Sequence, residues 1–107
     1  MARITLHNAR FTEYLNEAEP DNVVILTDDD DPELKGRTDT FYVVEMSLKT
    51  IGELLKRFPK DTVVFDAHMG TGIIGVICKD LGYDYIGCEE DENLYRSAKE
   101  RIYEALR

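Results

Sequence analysis

The chain has 107 residues, 43% of them apolar and 33% charged, and carries a formal net charge of −9. That length suits one domain with a single core, and the composition is that of an ordinary globular protein. The excess of acid opposes attraction to phosphate backbones, and no stretch approaches the roughly 20 apolar residues of a membrane helix.

The opening Met1-Ala2-Arg3-Ile4 lacks the long apolar region of a signal peptide. Cys78 and Cys88 each stand among apolar neighbours with no second ligand cluster nearby. They are expected as buried free thiols in a reducing, cytoplasmic setting, with no metal site.

In chain order, Arg3-Ile4-Thr5-Leu6-His7 alternates as a short strand. Asn8 is placed to cap a helix whose apolar positions would be Phe11, Tyr14, Leu15 and Ala18. Pro20-Asp21-Asn22 reads as a turn, and Val23-Val24-Ile25-Leu26-Thr27 as a buried parallel strand. The strand runs into Asp28-Asp29-Asp30-Asp31. Four carboxylates invite a cation, but adjacent side chains diverge and the spacing is not that of a calcium loop, so a solvated loop is the better reading. Residues 33–40 are polar and carry the weakest structural signal in the chain.

Phe41-Tyr42-Val43-Val44 reads either as a strand or as an extended approach to the next helix. Ser47 is a natural N-cap, with Leu48, Ile51, Leu55 and Phe58 forming one apolar stripe before Pro59. The most organised stretch follows, DTVVFDAHMGTGIIGVICKDLGYDYIGCEE from Asp61 to Glu90. A β-branched run ends on Asp66, Gly70-Thr71-Gly72 makes a tight loop, and residues 73–81 form a helix closed by Gly82. A second strand ends on Glu89. Strand, glycine loop, helix, strand and acid make a βαβ unit whose loop and helix N-terminus face a ligand crevice, with Glu89 set to accept from ribose hydroxyls. Gly70, Gly72 and Gly75 also fit G-x-G-x-x-G, which keeps a dinucleotide-binding fragment open as an alternative. Asp91 starts a last helix with Leu94, Ala98, Ile102 and Ala105 inward and Glu92 paired to Arg96. Tyr95 and Tyr103 are placed at that helix's margin.

These residues resemble the amino-group DNA methyltransferases, enzymes that methylate adenine N6 or cytosine N4 with S-adenosylmethionine. The family's Asp-Pro-Phe-x-Gly-x-Gly loop has its counterpart in Asp66-Ala67-His68-Met69-Gly70-Thr71-Gly72. Its Ile-Gly-x-Glu element stands as Ile86-Gly87-Cys88-Glu89, and its Ala-Lys-x-Arg-Ile pattern as Ala98-Lys99-Glu100-Arg101-Ile102. Before the loop, Glu45-Met46-Ser47-Leu48-Lys49-Thr50 stands where the family has His-Pro-Thr-Gln-Lys-Pro, keeping Lys49 and loosely Ser47. The N-terminal order of strand, turn, helix, Pro-Asp-Asn and strand is similar as well, and the family's long middle has shrunk to the stretch between Asp31 and Phe41.

The resemblance implies a Rossmann-like α/β methyltransferase core, a mostly parallel sheet with helices on both faces. It implies one S-adenosylmethionine-dependent methyltransferase-like domain over residues 1–107, with 1–40 a degenerate catalytic-motif part and 41–107 the cofactor-loop part. Asp66, His68, Met69, Gly70, Thr71, Gly72 and Glu89 become cofactor-binding residues, and Asp28 the one candidate catalytic acid. The departures are equally specific. Asp29, Asp30 and Asp31 supply neither the proline turn nor the aromatic ring of the family's Asp-Pro-Pro-Tyr, which holds a flipped base. Arg10 stands where an acid meets the cofactor's adenine, and Ala67-His68 replaces Pro-Phe, with His68 filling the Phe position as a half-apolar ring rather than as an acid or base.

The expectation is a degenerate relative that keeps part of an S-adenosylmethionine site and acts as a binding or regulatory module, for instance in restriction or defence. An active small or split methyltransferase is the alternative. A second copy or a protein partner is the expected associate; DNA binding by the chain alone and membrane association are not expected.

Overall fold

The computed structural model describes residues 2–15, 23–28, 32–34, 39–43 and 46–105. The expected turn at 20–22, the aspartates at 29–31, Ala18, Gly36, Val44 and Glu45 lie outside them.

Five strands form one sheet: β1 (Ile4–His7), β2 (Val23–Thr27), β3 (Thr40–Tyr42), β4 (Val63–Asp66) and β5 (Asp84–Cys88). Their spatial order is β1-β5-β4-β2-β3, and every neighbouring pair is parallel. The Phe41 segment therefore is a strand, at the sheet edge. β4 and β5 are adjacent, as the βαβ reading of the glycine stretch requires.

Side-chain alternation assigns the two faces. Val24, Leu26, Val64 and Tyr85 join one apolar cluster with Ile51, Leu55, Cys78, Ala98 and Ile102. These last five come from α1 (Leu48–Leu55), α2 (Ile73–Leu81) and α3 (Glu92–Ala105), so the three α-helices among the described residues cover one face. Val23, Ile25, Phe65 and Ile86 point the other way and meet Phe11 and Leu34. Those two belong to single 3-10 turns, Phe11–Glu13 and Pro32–Leu34, which form the described cover of the second face. All five residues of β2 are buried, as a parallel strand covered on both sides must be.

The helix ends follow local chemistry. Ser47 Oγ accepts from Thr50 N–H at 3.1 Å, and Asp91 Oδ1 accepts from Asn93 and Leu94 N–H at 2.9 and 3.0 Å. Gly82, in the left-handed region at φ 85°, closes α2. Tyr83 Oη donates to the carbonyls of Leu55 and Phe58 beyond α1, at 2.6 and 2.7 Å. Lys60 Nζ does the same for Leu81 at the end of α2.

Two expectations are corrected. The helix after Asn8 is, among the described residues, the 3-10 turn at Phe11, with Arg10 at its N-cap position. Asn8 caps nothing there, because its amide donates to the Glu89 and Glu90 carbonyls at 2.8 and 3.2 Å and joins the ends of β1 and β5. Leu94 is 39% exposed, since Tyr95, Ala98 and Ile102 occupy the inward i, i+3, i+7 positions of α3. The pair between Arg96 and Glu92 forms at 3.0 Å, and both cysteines are buried thiols that form no disulfide. Tyr95 packs against the core, whereas Tyr103 is 47% exposed.

One glycine fixes the packing beneath the site. A Cβ at Gly87 would stand 2.5 Å from Met69 Sδ, 2.7 Å from Tyr85 Cε2 and 2.8 Å from Tyr85 Oη. Gly87→Ala should therefore displace the Tyr85 ring and cost about 1–3 kcal/mol, the usual range for overpacking a filled core. Urea denaturation of the two proteins measures it.

Candidate functional site

In this sheet order the chain reverses direction at the centre. From β2 it passes through the Pro32–Leu34 turn on one face to β3, and from β4 through α2 on the opposite face to β5. Connections diverging on opposite faces open a crevice at the carboxyl ends of the two neighbouring strands. Those ends are Thr27-Asp28 and Asp66.

A pocket of about 480 Å³ occupies this place. Asp28 and Asp66 stand at the strand ends, His68, Met69, Gly70 and Thr71 form the loop, and Val43, Leu48, Ile51, Ile73 and Ile74 supply apolar wall. Six of the eight residues singled out from sequence thus share one cavity. Gly72 is the seventh: it is the N-cap of α2 at φ 85°, a conformation costly for any side chain. It turns the chain from the loop into the helix, whose first N–H groups are left without intrahelical partners.

Glu89, the eighth, stands on the other side of the loop. Its Oε1 accepts from Gly70 N–H at 3.0 Å and its Oε2 from Asp91 N–H at 2.9 Å. Met69 N–H donates to the Cys88 carbonyl and Glu89 N–H to that of His7, both at 3.0 Å. The acid that sequence assigned to a ribose is, in this structure, the fastener of the glycine loop. Each carboxylate oxygen still has a second lone pair.

Asp66 is the chemically distinctive group. Only 2% of it is exposed, and its Oδ2 accepts from Tyr85 Oη at 2.7 Å. Burial pushes its carboxyl up to about 7, against the Tyr85 hydrogen bond that lowers it. The charge of Asp28 raises it further, the backbone N–H of His68 lowers it, and the charge of Glu89 raises it. The Tyr85 phenol is in turn pushed well up by its own burial and by Asp66. The Cys78 thiol beneath is pushed up for the same two reasons. His68 sits edge-on to Phe11 with ring centroids 5.4 Å apart, and its Nε2 is buried without a partner.

Sequence reading missed Tyr85 and the apolar wall. The signal for Tyr85 was present: Asp66 pairs with Gly87 across the parallel ladder, so Tyr85 lies diagonally beneath Asp66 on the same face. Gly87 leaves the phenol room to reach the acid. Among the described residues no group of three His, Cys, Asp or Glu side chains gathers to hold a metal, and no helix is long and apolar enough to cross a membrane.

A buried acid whose folded-state value lies above its unfolded value keeps a proton that the unfolded chain has released. Its contribution to stability is then lost as pH rises from about 4 toward 7, by at most about 4 kcal/mol at 1.36 kcal/mol per unit. Asp66→Asn keeps an oxygen for Tyr85 and cannot ionise. The variant should gain on the parent by a few kcal/mol between pH 4.5 and 7.5, read as the difference between two urea-denaturation series.

Residues 29–100, more than half of the chain, match the N6/N4 methyltransferase family described as DNA methylase. None of the curated proteins matches. Among solved structures, the crystal structure of M1.HpyAVI is similar, at 30% identity over 52% of this chain and 31% of that one, with a TM-score of 0.48. The crystal structure of the M1.HpyAVI-SAM complex is similar too, at 30% identity over 52% of this chain and 28% of that one, with a TM-score of 0.49. The chain thus spans less than a third of the length of either, and the family assignment rests on the sequence match. By that match, this chain belongs to the N6/N4 DNA methylase family.

Proposed function

We propose that this chain binds an S-adenosyl ligand in the crevice between β2 and β4 and serves as a binding or regulatory member of the family, without methylating DNA alone. The observation that carries the reading is the charge of the crevice. Among the described residues its lining includes two acids, Asp28 and Asp66, and no Lys or Arg. Such walls suit a nucleoside that carries a sulfonium and an ammonium, and they oppose the pyrophosphate of a dinucleotide. The Gly70–Gly72 loop lets the main chain approach the ligand, and the apolar wall excludes water around it. Asp66, His68, Met69, Gly70, Thr71 and Gly72 form this half of the site, with Glu89 holding the loop and offering its remaining lone pairs to ribose hydroxyls.

Base methylation makes further demands. The target amine must be held at the methyl group by hydrogen bonds and stacking. Asp28 offers one acceptor at the pocket, but the residues after it, Asp29, Asp30 and Asp31, bring no ring and three more negative charges. With a net charge of −9 there is little electrostatic attraction to supply non-specific DNA binding. An associated subunit carrying base recognition would remove both obstacles.

Thermal-shift measurements with S-adenosylmethionine, S-adenosylhomocysteine and NAD test the binding. A ligand held at a hundredfold its Kd stabilises by about 2.7 kcal/mol, which for a chain of this size is a rise of roughly 10–20 °C. The S-adenosyl compounds should give it and NAD should not; a shift with NAD alone would favour a dinucleotide site. Tritiated S-adenosylmethionine with mixed-sequence duplex at low salt should leave DNA unlabelled. Label above that of a Glu89→Ala control would make the chain an enzyme in its own right.

A further inference from the structure

We infer that the crevice takes up the cationic group of its ligand in exchange for a proton on Asp66, so that binding is coupled to pH. The inference deepens the S-adenosyl reading and rests on it.

The geometry supplies the reason. Asp66 forms part of the pocket wall yet is almost entirely removed from water. A carboxylate in that position needs positive charge or several donors to remain ionised. Among the described residues, the groups facing it are the Asp28 carboxylate beyond β2, the Tyr85 phenol of β5 and the Glu89 carboxylate just after it, the His68 backbone N–H and the Cys78 thiol of α2, and the His68 imidazole lines the same pocket. From α1 come the apolar Leu48 and Ile51. None of these groups is a fixed cation, and two are like charges. The empty pocket therefore favours the neutral acid, consistent with a carboxyl pushed up to about 7.

A sulfonium or ammonium entering the pocket reverses that balance. It makes the ionised acid the stable form, and the proton leaves to solvent: carboxylic acid plus cation becomes carboxylate–cation pair plus released proton. Tyr85 stays as donor to Oδ2 in both states. Below the midpoint near neutral pH, affinity should rise by up to roughly tenfold per pH unit, and above it should level off.

Calorimetry of the whole chain in buffers of differing ionisation enthalpy, from about pH 5.5 to 8.5, counts the proton. S-adenosylmethionine should release close to one at the acid end and almost none at the alkaline end. 5′-Methylthioadenosine, which has neither charge, should release none. Release with S-adenosylhomocysteine as well would identify the ammonium as the cation; release with S-adenosylmethionine alone would identify the sulfonium. Asp66→Asn should abolish the release. Tyr85→Phe, which removes the hydrogen bond that lowers Asp66, should move the midpoint upward, a shift that mere loss of packing would not produce. Tight binding of S-adenosylmethionine with no proton release and no pH dependence would overturn the exchange and leave the S-adenosyl reading standing. Failure of every nucleoside to bind at any pH would overturn both.

Discussion

Both oxygens of Glu89 are committed to main-chain donors, and the arrangement of the crevice depends on that commitment. Gly70 N–H and Asp91 N–H converge on one carboxylate, so the glycine loop and the start of α3 are held by a single side chain at the end of β5. Bonds from peptide N–H groups to an ionised acceptor are stronger than neutral ones, about 1.5–3 kcal/mol each. The same strand end receives Asn8 from β1 through the Glu89 and Glu90 carbonyls, and Arg10 lies 3.5 Å from the Glu90 carboxylate. Three segments far apart in sequence, residues 8–10, the loop at Gly70 and residues 89–91, thereby meet at one strand end. A loop positioned in this way can offer its backbone to a ligand without being ordered by it, which lowers the entropic cost of binding.

The second constraint is electrostatic and acts in the opposite sense. The crevice gathers carboxylates in a chain that is already strongly acidic, and it buries one of them. The Tyr85 hydrogen bond and the His68 N–H offset part of that penalty, but desolvation dominates. An isolated buried acid resolves such a conflict by keeping its proton. The protein alone is best served by the neutral acid, whereas the proposed cationic ligand would be served by the ionised one. The conflict is confined to one side chain of a crevice wall, with ordinary packing around it.

The fold was legible from local signals, and the departures came from contacts between distant residues. The ends of α2 were readable because Gly72 and Gly82 bracket an apolar run, and Ser47 and Asp91 cap α1 and α3 in the manner their side chains favour. The strands were readable from β-branched runs. The segment after Asn8 was not, because Asn8 is claimed by carbonyls 81 and 82 positions away and Phe11 is anchored on the second sheet face. In the site, the loop glycines and both end-of-strand acids could be named from sequence. The main-chain bonds of Glu89 and the pairing of Asp66 with Tyr85 could not, since each depends on the register between β4 and β5.

That dependence ties the crevice to the whole sheet. Asp28 arrives from β2, Val43 from beyond β3, Leu48 and Ile51 from α1, and the loop from between β4 and α2. β1 lies against β5, so the first strand of the chain closes on the last. No pair of consecutive elements contains the site, and the loop-closure entropy of bringing these segments together is offset only when the core behind them forms. The apolar clusters on the two faces contain the same strands whose carboxyl ends carry Asp28 and Asp66. A substitution beneath the sheet, such as one that displaces the Tyr85 ring, therefore reaches the crevice through the strand that bears it. Core and crevice are one cooperative structure, and the acid of β4 belongs to both.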